Sequence, residues 1–434
     1  MTCQTYLKYI SSLCAVSLLS IPPARGQEMV KVLSFLDTPV AMTSWPGTSD
    51  VLLVCERGTA KVVKYLLPPN PSLPPLVITF LDLSAKAAIP TSPIGDFFGV
   101  TGFAFHPQFL TDPNKRLVYV RYNRKNTLES VIEQYEVPLG WDLADPNSAE
   151  DMFTAPMSAA VHSSGQIHFD TTPGSENRLY WAVGDDFAPS QAGGQGACGC
   201  ETTACQDDLS VLGKLLVFDV DGSTPWVPSL LAKGLRNPHA FSVDRGDGAG
   251  VGRGDVWIGT SGGVTTGDIL KWPAGTTSVL NFGWPWVEGD WAAIPHVIDW
   301  KPANCNTDPN CGEPSPAPPY TKPFGIYWDD LGQPPFQDAL IGGYVYRGTI
   351  TSLQGDYIFT TFGTTGTPTV SRTDAGTPNS LIFSMNAQLK IGTDWSFPTN
   401  SMHGMGEDWA GELYVIRVTG TGLLSNGTLF KIVQ

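Results

Sequence analysis

Two short segments carry residue types that could do acid–base or ligand chemistry. The first is VHSSGQIHFD, followed by NRLYWAVGDD. His162 stands at the start of a candidate strand with small residues behind it, where an imidazole can face a channel and accept a proton. Asp185, at the end of the next candidate strand, could fix its tautomer and raise its basicity. On residue types alone a lone histidine of this kind is first a packed structural residue and only second a base. The second segment is GLRNPHAFSVD. Arg236 and Asn237 side by side offer a guanidinium fork and an amide, suited to a ligand bearing carboxylates or a quinone. A plain turn ended by Pro238 explains the pair equally well.

Other patterns lead nowhere. Gly259-Thr260-Ser261-Gly262-Gly263 satisfies G-x-S-x-G, yet a nucleophile elbow needs a helix after the serine. Here the strand-like DILKW follows. The Gly-rich run from Asp244 to Asp255 lacks the dinucleotide spacing and opens no helix, so it reads as a hairpin loop. The six histidines do not cluster at zinc spacing, and no HExxH occurs.

The elements that would position these residues are short strands. VLLVCERG, LVYVRYN, RLYWAVGD, KLLVFDVDG, DVWIGTSGG, GYVYRG, DYIFTTF and ELYVIRV are rich in β-branched and aromatic residues and end at Gly or Asp-Gly turns. No stretch sustains helical periodicity. NRLYWAV, GDVWIGT, GDYIFTT and GELYVIR rhyme, and such recurrence argues for a propeller over a sandwich. A closed ring further requires the terminal TLFKIV strand to pair with the start of the chain.

Bulk properties bound the rest. The chain has 434 residues, of which 42% are hydrophobic and only 15% charged, enough for a large core. Residues 1–26 read as a signal peptide: Lys8, an apolar stretch from Tyr9 to Ile21, and small residues before Gln27. One domain, 27–434, follows. Removing the signal takes Lys8 and Arg25 and no acid, so the formal charge of −15 becomes −17. A surface so acidic excludes nucleic acid and anionic membranes as partners. An exported chain with six remaining cysteines is expected to form disulfides. Cys305 with Cys311 is the first pairing, and Cys55 is a distant partner for one of Cys198, Cys200 and Cys205. Asn426-Gly427-Thr428 is a glycan acceptor sequence.

Taken together, VTGFAFHPQF, HSSGQIHFD, RLYWAVGD, GKLLVFDVDG, GLRNPHAFSVD, GDVWIGTSGG, NFGWP, GGYVYRG, LQGDYIFTTF and GEDWAGELYVI resemble, in order, the glucose/sorbosone dehydrogenase-like propellers. That family includes soluble sugar dehydrogenases, fungal pyranose dehydrogenases and hedgehog-interacting-protein-like proteins. The resemblance implies a six-bladed β-propeller of four-stranded antiparallel sheets, with the site at the channel mouth. It implies oxidation of a sugar or polyol by hydride transfer to pyrroloquinoline quinone (PQQ), with an external electron acceptor. His162 then matches the base, Asp185 the acid that orients it, and Arg236 and Asn237 the cofactor contacts. Gly262 and Gly263 match the positions whose carbonyls bind calcium.

The sequence departs from the family at three places. Phe97 and Phe98 stand where Gln or Glu is usual, and Ser401-Met402-His403 replaces an Arg-x-Arg pair. Arg372 is only a loose match for a further cation. With one clear Arg for three carboxylates, weak and calcium-dependent cofactor binding is expected. The rival function is a binding propeller with a decayed pocket, as in the hedgehog-interacting branch. A lactonase-type calcium propeller would need a converging acidic set that the sequence does not offer.

Overall fold

The computed structural model describes residues 27–90, 98–157, 162, 165–186, 204–262, 266–284, 287, 289, 319–328, 338–363, 370–380, 382–385, 390–391, 402–419 and 426–434. Regular structure among them is almost wholly strand, with short 3-10 turns such as Pro113–Lys115, Pro146–Ser148 and Thr351–Leu353. Strands form where the sequence places β-branched and aromatic residues in runs of four to eight. Both faces of most of them are covered, as in Leu117–Asn123 and Arg178–Val183.

Six antiparallel units of four strands follow one another along the chain. They span 39–82, 100–155, 167–233, 240–328, 338–384, and 402–433 completed by Glu28–Asp37. The last unit is built from both ends of the chain, since Glu28 pairs with Val433 and Asp37 with Asn426. The expected pairing of the terminal strand with the chain's beginning is therefore present. Two short strands go beyond the expected pattern. Leu280–Asn281 adds in parallel to Ser229–Lys233, and Lys390–Ile391 adds in parallel beside Glu28 and Met29.

The core lies between units rather than inside one. Separate apolar clusters join the first unit to the second, the second to the third, and so on, and another joins the sixth to the first. Trp257 of the fourth unit stacks on Tyr357 of the fifth with centroids 5.1 Å apart. The first strand of each unit lies against those of its neighbours, and at these inner strands the backbones approach closely. A Cβ on Gly406 would lie 2.5 Å from the Met42 carbonyl oxygen, and this gap allows the parallel Met42–Gly406 pairing. Gly342, at φ +124°, likewise sits where a Cβ would meet Ala240 O at 2.4 Å. Through the Met42–Gly406 pairing the first and sixth units share one nine-stranded sheet, so the six units are grouped into five sheets.

One expectation fails. Cys55 and Cys205 are both buried free thiols, not halves of disulfides. Cys55 faces the apolar cluster between the first two units, and burial pushes its thiol well above the ordinary range. Cys205 fits against Gly213, whose absent Cβ would meet its sulfur at 2.6 Å. Cys198, Cys200, Cys305 and Cys311 lie outside the described residues.

Candidate functional site

The site gathers at one end of the inner strands of the third and fourth units. His162 precedes Ile167–Phe169, and Asp185 follows Arg178–Val183, which pairs with it antiparallel. Antiparallel pairing therefore returns Asp185 to the level of His162. The approach is tight: a Cβ on Gly184 would lie 2.1 Å from the His162 carbonyl oxygen. His162 itself holds a left-handed backbone at φ +56°, as does Asp186 at +61°.

His162 Nδ1 lies 2.6 Å from Asp185 Oδ1, and both side chains are buried. The other oxygen, Oδ2, accepts from Trp284 Nε1 at 3.0 Å. Two accepted hydrogen bonds are the pattern of a carboxylate, so Nδ1 carries the imidazole proton and Nε2 is the basic nitrogen. Burial pulls the His162 pKa below its ordinary value. Asp185 works against that shift, and Arg236 adds to it.

Arg236 and Asn237 belong to the same cluster. The Arg236 carbonyl accepts from Asp185 N at 2.8 Å. Its guanidinium donates to Ser261 O at 3.1 Å and lies over the Trp284 ring. Asn237 N–H donates to Thr260 Oγ1 at 3.1 Å, and Nδ2 donates to Ser261 Oγ at 3.3 Å. Gly262 directly follows the strand Val256–Ser261. Gly263 lies outside the described residues, as do Phe97, Ser401 and the side chains of Met402 and His403. Phe98 is buried at the lead into the second unit's inner strand. Arg372 is engaged elsewhere, with Asp356 at 3.0 Å and the Ser352 carbonyl. Ser261 is followed by the strand Thr266–Trp272, so the nucleophile-elbow pattern is absent, as expected.

Three contributors were not legible as site residues. Trp284 is delivered by the loop after Leu280–Asn281, where Asn281 Oδ1 accepts from Gly283 N at 2.9 Å. Ser261 bridges Arg236 and Asn237. Asp268 pairs across the strands with Thr260, and its Oδ2 accepts from Gly289 N at 3.2 Å. Its Oδ1 is buried with no hydrogen-bond partner, and burial raises the pKa to about 6.

The donor set can be tested against the expected cofactor and ion. Asn237 Oδ1 is also buried without a partner, so two oxygens at this end of the fourth unit lack donors. Among the described residues no three His, Cys, Asp or Glu side chains converge on one point. A hard cation here would therefore take carbonyl and amide oxygens with at most one carboxylate, a combination suited to calcium. Arg236 offers further N–H groups to a carboxylate-bearing ring. The residues present fit the ion, and for the cofactor they supply one guanidinium and one amide, Arg236 and Asn237.

No protein-family model matches the chain. It is 25% identical to quinoprotein glucose dehydrogenase B of Acinetobacter calcoaceticus over 238 residues, which are 49% of this chain and 45% of that enzyme. The match thus spans less than half of the relative's length. Similar solved structures include a variant of AofleA from Arthrobotrys oligospora, at 11% identity and TM-score 0.45 over 94% of this chain and 86% of that one. Another is the six-bladed, fucose-recognising lectin of Aleuria aurantia, at 8% identity and TM-score 0.43 over 93% and 97% of the two chains. The chain is an all-β protein that, over about half its length, is distantly similar to a quinoprotein glucose dehydrogenase.

Proposed function

We propose that the chain is an exported, six-bladed propeller enzyme that oxidises a sugar or related polyol by a quinone-dependent route. The observation that carries the reading is the buried His162–Asp185 pair, 2.6 Å apart, with Arg236 bonded to Asp185 through its backbone. The six units, joined in succession by apolar clusters and completed by both chain ends, are taken as the six blades of one ring.

In this reading His162 Nε2 takes the hydroxyl proton of the substrate, and Asp185 holds the imidazolium that forms. Trp284 keeps the Asp185 carboxylate in place. Arg236 and Asn237 would hold PQQ, and Gly262 and Gly263, with Asn237 and Asp268 near, would hold calcium. Bound PQQ supplies the two-electron acceptor, with calcium polarising its carbonyl. An external acceptor would reoxidise it, and neither nucleic acid nor a membrane is a partner.

The rival is a non-catalytic binding propeller. It is favoured by the sequence itself, which has Ser401 and His403 where two more cationic groups would meet the cofactor's carboxylates. Titration of PQQ into the mature protein, with and without calcium, separates the two. The enzyme reading expects a bound-quinone absorbance that needs calcium, together with dye reduction when an aldose is added. No quinone binding under either condition would leave the binding propeller.

A further inference from the structure

A cavity of about 230 Å³ lies at the end of the inner strands away from His162. It is reached by Ser44, Phe105, Phe169, Val243 and Glu407, the last residues of their strands. His162, Asp185, Arg236 and Asn237 stand at the opposite ends. The cavity is therefore separate from the site described above, and what it binds does not depend on the dehydrogenase reading.

Its chemistry is mixed and its charges are internally matched. Glu407 accepts from Arg245 at 2.8 Å, and Arg245 also donates to the Asp408 and Trp409 carbonyls. Asp408 is paired with Lys431 at 3.2 Å. A charged ligand would find no uncompensated counter-ion here. A neutral one finds polar atoms to use. His106, 1% exposed, accepts at Nδ1 from Gln108 N, so its proton sits on Nε2. That nitrogen is itself buried, so the imidazole is closed to the cavity and the Glu407–Arg245 pair supplies the polar atoms at its mouth. At the rim, Trp409 is 53% exposed and offers a bare indole face.

We propose that this cavity is a second binding site, for a neutral polyhydroxylated molecule of monosaccharide size. Trp409 stacks on its C–H face, and the Glu407–Arg245 pair takes a vicinal diol. The volume is below the roughly 300–1,000 Å³ of pockets for drug-sized ligands, so a single sugar ring or an open-chain polyol fits better than an oligosaccharide.

The test is calorimetric titration of D-glucose, D-xylose and sorbitol into the cofactor-free protein and three variants. Glu407→Ala and Trp409→Ala should each weaken binding tenfold or more, and Arg236→Ala, at the opposite end, should leave it within twofold. Trp409 is exposed, so that variant reports even if Glu407→Ala does not fold. Binding lost with Arg236→Ala but kept in Trp409→Ala would overturn the proposal, as would no binding of any of the three by the unmodified protein. Failure of PQQ to bind bears only on the dehydrogenase reading and leaves this result untouched.

Discussion

At the scale of single residues, the proposed chemistry rests on His162, whose protonation is governed by burial and by the charges of Asp185 and Arg236. Burial has the largest effect and lowers its pKa, Asp185 raises it, and Arg236 lowers it again. Only the neutral imidazole can accept a proton, so activity is lost as pH falls through this value. The acid limb of kcat/KM is expected below about 6.5, the ordinary histidine value. Removing each partner moves the limb in opposite directions. Arg236→Ala removes a repelling charge and should shift it upward. Asp185→Asn removes the attracting carboxylate and should shift it downward while slowing turnover, because the imidazole loses its orienting acceptor. Rate profiles of the three proteins test this, and an upward shift in Asp185→Asn would contradict the role given to that carboxylate. A related expectation concerns the cofactor. Placing Arg at positions 401 and 403 should tighten PQQ binding, each charge-assisted bond contributing about 1.5–3 kcal/mol, read as a lower Kd by calorimetry.

At the scale of elements, the site depends on how closely two backbones pass. Gly184 stands where a Cβ would meet the His162 carbonyl at 2.1 Å, and a carbonyl cannot move aside as a side chain can. Gly184→Ala should separate His162 from Asp185, abolish most activity and cost about 1–3 kcal/mol. Gly248, in the hairpin loop with open space around its missing Cβ, serves as the neutral control in urea melts. Loops also tie units together: Arg347 of the fifth unit donates to both oxygens of buried Asp244 in the fourth, at 2.9 and 2.7 Å. Arg347→Leu leaves that carboxylate buried and uncompensated, for an expected loss of about 3–5 kcal/mol. The strands themselves were legible, because aromatic and β-branched runs between Gly and Asp turns have one economical conformation. So was the partnership of His162 with Asp185, since an antiparallel neighbour returns the chain to the same level. Trp284 and Asp268 were not. One arrives on a loop 99 residues beyond its partner Asp185, and the other owes its position to cross-strand register with Thr260. Pattern along the chain carries neither distance nor register. Cys55 and Cys205 misled for a related reason: a hydrophobic slot and a bridging thiol look alike in sequence, and Cys55 fills a slot.

At the scale of the whole molecule, stability depends on contacts between units. Each apolar cluster is shared by two neighbours, and the sixth unit exists only if Glu28–Asp37 and Asn426–Val433 find each other. Their pairing is the slowest kind of contact to form, with nearly the full chain length between partners. It also leaves the two ends adjacent, because Glu28 is the cross-strand partner of Val433. Two altered chains then have opposite expected outcomes. Deleting residues 426–434 removes a strand flanked on both sides, exposes two strand edges and strips Leu429, Phe430 and Ile432 from the clusters they fill. That protein should lose its cooperative melt and aggregate. A circular permutant that joins residue 434 to residue 27 through a short Gly-Ser linker keeps every one of these contacts. Opened at the turn around Gly140, where Leu139 and Trp141 are exposed, it cuts no strand pairing. It should retain a single cooperative transition within a few degrees of the parent, and circular dichroism during heating distinguishes the two outcomes. A permutant that unfolds like the truncated chain would mean that the order in which the units are joined, and not only their final contacts, holds the molecule together.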